Sequence, residues 1–339
     1  MRAIWIPKAG KANVLELRES PDPEPKAGEV RVRVHAAGLN FAEVMARQGL
    51  YPDAPKMPFV PGYEAAGLVD AVGEGVTSVK VGDRVAALTR FGGHADCVVV
   101  PENQIFGMPA SMTFEQAAAL PVNYLTAYHM LFQVARIKPG DHVLIHMAAG
   151  GVGTAVLQLC KTVPDITTYG TASAGKHDYV RSHGCDHAID YRTNDYVEEI
   201  KKLTDGRGVN LIMDALGGRD WKKGYSILRS SGQLIAFGWA NMNSGEKRNL
   251  GRILKELTGL PLFSPRNFMD DNRGMSGVNL GHLWHEVDML ADQARALMVL
   301  FEQGKIMPHV DKVFPFAEAA EAHRYLEQGK NVGKVVLVP

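Results

Sequence analysis

The chain has 339 residues and balances 37 Lys and Arg against 37 Asp and Glu, so it lacks the net positive charge that draws proteins to nucleic acid or anionic bilayers. Its 46% hydrophobic and 22% charged residues are those of a globular protein, and its length exceeds one small core, which predicts two domains. No run approaches the ~18 apolar residues of a membrane span and the start lacks an apolar leader core, which predicts a cytoplasmic protein without stable membrane insertion.

Up to about residue 110 the pattern is short alternating runs broken by Gly and Pro, such as Glu29–Val34, Asp83–Leu88 and Ala95–Val100, and this predicts a β-rich, barrel-like unit. Pro21 to Pro25 and Pro52 to Pro55 read as extended or turn segments, because proline fixes φ and biases the residue before it away from helix. Cys97, Cys160 and Cys185 are odd in number for a disulfide framework and one short of a four-thiolate zinc site.

From about residue 139 the rhythm becomes strand and helix in alternation. Strands are expected at Val143–Ile145, Ile166–Gly170, His187–Ile189, Val209–Asp214 and Gln233–Phe237, with helices at Val152–Thr162 and Lys176–His183. Continuous apolar strands separated by amphipathic helices predict a doubly wound parallel sheet covered on both faces. Residues 244–280 read as a short helix and a loop, followed by a long helix from Leu283 to Phe301. The strands Val310–Phe314 and Lys334–Val338 close the chain and are expected to rejoin the first domain.

One segment carries chemistry. Gly140 to Gly153 runs from a turn through a buried strand into a helix start, with Ala148, Ala149, Gly150, Gly151, Val152 and Gly153 matching an Ala-x-Gly-x-x-Gly form of the dinucleotide fingerprint. Small residues let the backbone approach a pyrophosphate, and the N–H groups and dipole of the helix N-terminus stabilise its charge. After the next strand, Thr171, Ser173 and Lys176 stand where an NAD site places a carboxylate for the ribose hydroxyls. Neutral donors with a cation suit a 2′-phosphate instead, with Tyr191 as a further contact, so NADP(H) is the expected cofactor.

The turn and its continuation to Lys161 resemble the quinone oxidoreductase and zeta-crystallin branch of the medium-chain dehydrogenases and reductases, as do Gly38–Glu43, Gly62–Gly67, Pro121–Tyr128 and Asn331–Val335. Ala46–Tyr51, Ile189–Thr193, Lys247–Leu250 and Lys330–Lys334 are similar to the vesicle amine transport protein 1 homologues within it. The resemblance spans nearly the whole chain. It implies an α/β protein with a GroES-like β-rich substrate domain, residues 1–123 and 296–339, and a Rossmann domain, residues 124–295. It also implies cofactor contacts at Asn40, Thr126, Leu216, Phe237, Gly238, Asn331 and Lys334, and a homodimer joined through the edge of the Rossmann sheet.

The departures from that pattern point to the reaction. Zinc alcohol dehydrogenases of the superfamily place Cys and His as metal ligands where this chain has Asn40 and Tyr63, and the four-Cys structural loop is missing. A carboxamide and a phenol are poor zinc ligands, so no metal is expected. His282 and His285 sit one helical turn apart and His142 and His146 flank a strand, but nothing beside them in sequence completes a site, and all four are expected to be structural. Glu64 keeps the family carboxylate and is expected to orient a neighbour or brace a turn.

Hydride must then go to an acceptor that is already electron-poor, a quinone or an α,β-unsaturated carbonyl, with Asn40, Tyr51 and Tyr63 as hydrogen-bond donors to the developing oxyanion and Asn123 behind them. The partner is a small apolar electrophile. A second reading is an NADPH-binding protein that carries a lipid or a partner with little turnover, its apolar pocket edge built between Asn241 and Leu283 from Leu257, Leu260, Leu262, Phe263 and Phe268. A third, an enoyl-thioester reductase, needs a basic groove that the balanced charge does not advertise.

Overall fold

The computed structural model describes residues 1–242 and 250–339. The segment Lys247–Asn249, part of one sequence resemblance, lies outside the described residues. Backbone contacts divide the described residues into one unit of Met1–Leu125 with Leu280–Pro339, and another of residues 126–242 and 250–279. The return to the first unit thus falls at Leu280 rather than at 296, because the whole helix Val287–Glu302 packs with the first unit.

In the first unit, seven strands form one sheet. Its order is Val310–Pro315, Lys334–Val338, Glu29–Leu39, Glu64–Val72, Arg84–Leu88 and Ile105–Gly107, with Cys97–Pro101 also on Glu29–Leu39. The strand Glu29–Leu39 is central because alternate residues Val30, Val32 and Val34 point into the core with Ala65, Val69, Val85, Phe314 and Leu337. Its register places the site. Leu39 lies opposite Val335, which sets Asn40 beside Lys334, and Ala37 lies opposite Ala65, which sets Gly38 beside Glu64.

The second unit is a six-stranded parallel sheet in the order His187–Asp190, Thr167–Ala172, His142–Ile145, Val209–Asp214, Leu228–Ala236, Gly274–Gly277. Counted along the chain, the order is third, second, first, fourth, fifth, sixth, the dinucleotide-binding arrangement whose crevice opens at the carboxyl ends of the strands. Leu144, Ile212 and Leu234 are fully buried, as strands covered on both faces must be.

Residues expected as one short helix and a loop hold two helices, Leu250–Thr258 and Pro265–Asp271, and the edge strand Gly274–Gly277. Ser264 caps the second helix by accepting the Asn267 N–H, with Pro265 in its first turn. The long helix begins at Val287, not Leu283, since Leu280–His282 forms a separate short turn. Phe263 and Phe268 are half-buried and pack on Tyr225 with ring centroids 4.6 and 6.0 Å away, against the core, whereas Leu262 is 98% exposed. The apolar residues of this stretch therefore divide between the margin of the core and the surface. Cys97, Cys160 and Cys185 are buried free thiols. Among the described residues no helix is long and apolar enough to cross a membrane.

Candidate active site and nucleotide-binding turn

In the second unit, the strand His142–Ile145 ends in a turn where Met147 takes φ +54°, and the helix Gly151–Cys160 follows with Gly150 at its N-cap. No side chain caps that end, so the first-turn N–H groups lie ahead of the intrahelical ladder and are suited to an anion. Gly153 is required by contact. A Cβ there would sit 2.5 Å from the Met147 carbonyl oxygen and 2.7 Å from the Ala148 Cα.

The neighbouring strand ends bring together the expected phosphate-reading residues. Ala172 pairs with Asp190, so Ser173 and Tyr191 leave adjacent parallel strands at the same, carboxyl end of the sheet. Lys176 closes a short turn on Ser173, its N–H donating to the Ser173 carbonyl at 2.8 Å. Tyr191 is 53% exposed, with the Arg192 guanidinium 6.0 Å from its ring centroid. On the other side, Leu216, Phe237 and Gly238 meet where two loops pack backbone on backbone. Leu216 donates to Asp214 Oδ1 at 2.7 Å, Phe237 to the Asp214 carbonyl at 2.9 Å, and a Cβ on Gly238 would lie 2.8 Å from the Ala215 carbonyl oxygen. Thr126 is buried on the helix Pro121–Tyr128.

In the first unit, Asn40 opens the helix Phe41–Arg47, and its backbone N–H donates to Glu43 Oε2 at 2.8 Å in a capping-box arrangement. Its carboxamide is occupied at both ends. Oδ1 accepts from Lys334 Nζ at 2.5 Å, and Nδ2 donates to Glu64 Oε1 at 3.0 Å. Lys334 also donates to Glu64 Oε1, and Glu64 Oε2 accepts the Val122 N–H at 2.7 Å. The ammonium and carboxylate are 3% and 0% exposed. Gly38 leaves the room for them, since a Cβ there would lie 2.5 Å from Glu64 Oε1.

Glu43 and His94 complete this cluster. Burial pushes the Glu43 carboxyl up to about 8, opposed by the nearby Lys334 charge and reinforced by Glu64. Two buried carboxyl groups therefore share one ammonium, and the second keeps its proton. His94 Nε2 lies 3.0 Å from the Gly38 carbonyl oxygen, and burial holds the imidazole down at about 4. The capping-box spacing of Asn40 and Glu43 was a readable signal for Glu43; nothing beside His94 in sequence announced it.

The Glu43 shift has a measurable consequence. The folded state keeps a proton that the unfolded chain releases near 4.5, so stability falls as pH rises from about 4.5 to about 8. Glu43→Gln, which imitates the protonated acid, is expected to remove that fall. Its melting temperature should gain on the wild type between pH 5 and pH 8, and parallel curves would contradict the assignment.

Tyr63 follows Gly62, whose φ of +107° puts it in the left-handed region and whose Cβ would lie 2.4 Å from the His94 nitrogen. Its ring meets Tyr51 at 6.1 Å and Phe91 at 5.1 Å, with Phe59 5.7 Å beyond Phe91. The Tyr63 hydroxyl oxygen is buried without a partner in hydrogen-bonding geometry, and burial, with Glu43 and Tyr51 nearby, pushes its pKa up. The Tyr51 loop is tied by Asp53, whose carboxylate lies 2.9 Å from His282 Nε2. Asn123 and Asn331 are buried, and Asn331 Nδ2 donates to the Gly333 carbonyl at 3.1 Å.

Zinc does not fit this arrangement. Asn40 already engages Lys334 and Glu64, and an ammonium beside Glu64 repels a second cation. Together, a Rossmann sheet with a glycine turn and a GroES-like unit bearing an aromatic, cation-containing cluster define a two-domain nicotinamide-dependent oxidoreductase.

Family comparisons place it more closely. The alcohol dehydrogenase GroES-like domain profile matches residues 26–111 and the zinc-binding dehydrogenase profile matches residues 183–337. The human synaptic vesicle membrane protein VAT-1 homolog is 47% identical over 96% of this chain and 82% of its own length. A quinone oxidoreductase-like protein 2 homolog from Nematostella vectensis is 33% identical over 99% of this chain and 88% of its own. Escherichia coli quinone oxidoreductase, solved in complex with NADPH, superposes with a TM-score of 0.89 at 29% identity over 100% of both chains. The chain belongs to the NAD(P)-binding medium-chain dehydrogenase/reductase family, grouped with the VAT-1 homologs and the quinone oxidoreductases.

Proposed function

We propose that this chain is a zinc-independent, NADPH-dependent reductase of quinones or α,β-unsaturated carbonyls. The observation that carries the proposal is the closed Lys334–Glu64–Asn40 network, in which Asn40 stands at one of the superfamily's metal-ligand positions, beside the buried phenol of Tyr63 at the other. The turn from Ala149 to Gly153 holds the cofactor pyrophosphate, Ser173, Lys176 and Tyr191 read its 2′-phosphate, and Thr126, Leu216, Phe237, Gly238 and Asn331 line the rest of its path. Bound NADPH supplies hydride from C4 of its nicotinamide ring.

An electron-poor acceptor needs no metal, because the electron pair displaced by hydride collects on its own oxygen. Tyr63, with Tyr51 beside it, donates a hydrogen bond to that oxygen, and solvent completes the protonation. Asn40 acts as a positioning residue, since its amide protons face Glu64 and Glu43. Removing one oxyanion donor lowers turnover by about 100-fold, so Tyr63→Phe is expected to lower kcat by that order with the KM for NADPH unchanged. An unchanged kcat would rule Tyr63 out as the donor.

Cofactor choice gives a second test. Lys176→Ala is expected to abolish most of the preference for NADPH over NADH in a fluorescence titration, and equal affinities in the wild type would defeat the NADP(H) reading. We further propose a homodimer built on the edge strand Gly274–Gly277, which has one neighbour in the sheet.

One observation favours a second reading, a cofactor-binding carrier with little turnover. Leu254, Leu257, Leu262 and Met269 are 62%, 45%, 98% and 76% exposed within one stretch of the second unit, and a concentration of exposed apolar side chains is what a partner or a lipid would meet.

A further inference from the structure

The crevice at the carboxyl ends of the parallel strands is braced by a buried polar group that the cofactor contacts above do not include. His146 directly follows the strand His142–Ile145 and is 1% exposed. Its Nδ1 lies 3.1 Å from Thr171 Oγ1, the same hydroxyl accepts the Met147 N–H at 3.3 Å, and the Thr171 carbonyl accepts the Ala148 N–H at 3.1 Å. Thr171 thus grips two successive residues of the phosphate-binding turn.

The Thr171 hydroxyl serves both neighbours at once. With one proton and two lone pairs, Oγ1 accepts from Met147 and still has both a donor and an acceptor for His146 Nδ1, so it engages the imidazole in either tautomer. Burial holds the ring neutral by pushing its pKa down, opposed by the charges of Asp214 and Asp220. Nε2 and Asp214 Oδ2 are both buried without hydrogen-bond partners, while Asp214 Oδ1 accepts the Leu216 and Gly217 N–H groups at 2.7 and 2.9 Å. The Tyr196 ring stands edge-on to the imidazole at 4.6 Å, and its hydroxyl donates to Asp220 Oδ1 at 3.2 Å. Asn241 Nδ2 bridges Asp220 Oδ2 at 2.7 Å and the Gly217 carbonyl at 3.1 Å. Polar contacts and this ring contact thus run from the phosphate turn to the Asp214–Gly217 loop.

We infer that His146 and Thr171 form a positioning couple for the pyrophosphate turn, with the Thr171 hydroxyl holding Met147 and the imidazole rather than touching the cofactor. This rests on the NADP(H) reading and goes beyond it by giving Thr171 a different role from the contact expected from sequence.

A double-mutant cycle in NADPH dissociation constants tests it. Loss of one buried hydrogen bond corresponds to about tenfold in affinity, so Thr171→Val and His146→Leu are each expected to weaken NADPH by that order. The double variant should be no weaker than either single one, and Thr171→Ser should bind like the wild type. NADH should weaken in parallel, since both cofactors share the pyrophosphate. An additive loss of about 100-fold in the double variant would mean two separate contacts and overturn the couple, as would unchanged affinity in Thr171→Val. If His146→Leu fails to fold, the contrast between Thr171→Val and Thr171→Ser decides alone: equal affinities overturn the inference. Failure of the wild type to bind NADPH would instead overturn the cofactor reading beneath it.

Discussion

Lys334→Met is expected to destabilise the protein by about 3–5 kcal/mol, the range found when one partner of a buried ion pair is removed. The side chain is 3% exposed and donates to both Glu64 and Asn40. Without it, Glu64 stays buried with two N–H donors, from Asn40 and Val122, and no compensating cation. The double variant Lys334→Met/Glu64→Gln should recover more than half of the loss, because it removes the orphaned charge as well as the ammonium. Urea unfolding of the three proteins checks this. A small loss in the single variant, or no recovery in the double, would show that the cluster is not an electrostatic unit.

Gly153→Val is expected to lower kcat/KM for NADPH by about 100-fold, the order associated with displacing a reacting group by ~1 Å. A side chain there meets the Met147 carbonyl and the Ala148 backbone, so the turn itself must move. Gly150→Ala is the control. Its Cβ would lie 3.3 Å from the Met147 carbonyl oxygen, which a small shift relieves, and its effect should be only a few-fold. Equal effects of the two substitutions would mean that close packing at Gly153 does not shape the phosphate site.

Much of this arrangement was legible in the chain. The central parallel strands stood out because burial on both faces makes them continuous apolar runs, and the nucleotide turn because glycine is the residue that lets backbone approach backbone. The edge strand Gly274–Gly277 was missed for the opposite reason: two of its four residues are glycine, and pairing along one side replaces intrinsic preference. The helix Pro265–Asp271 did carry a start signal in Ser264 and Pro265.

Lys334 shows the harder limit. The family resemblance reads it as a cofactor contact, whereas Asn40 and Glu64, which engage it, lie 294 and 270 residues away, so strand register alone brings them together. Thr171 was placed in the nucleotide site by position, but its engagement with His146 depends on a turn whose backbone geometry no motif encodes.

The central claim is metal-free hydride transfer from NADPH to an activated acceptor. Its most direct test follows the nicotinamide absorbance of the wild-type protein with a panel of quinones and enones, in the presence of a chelator. The expected result is steady NADPH oxidation with at least one acceptor class and slower oxidation of NADH. Tight NADPH binding without turnover of any acceptor would contradict it and favour the carrier reading.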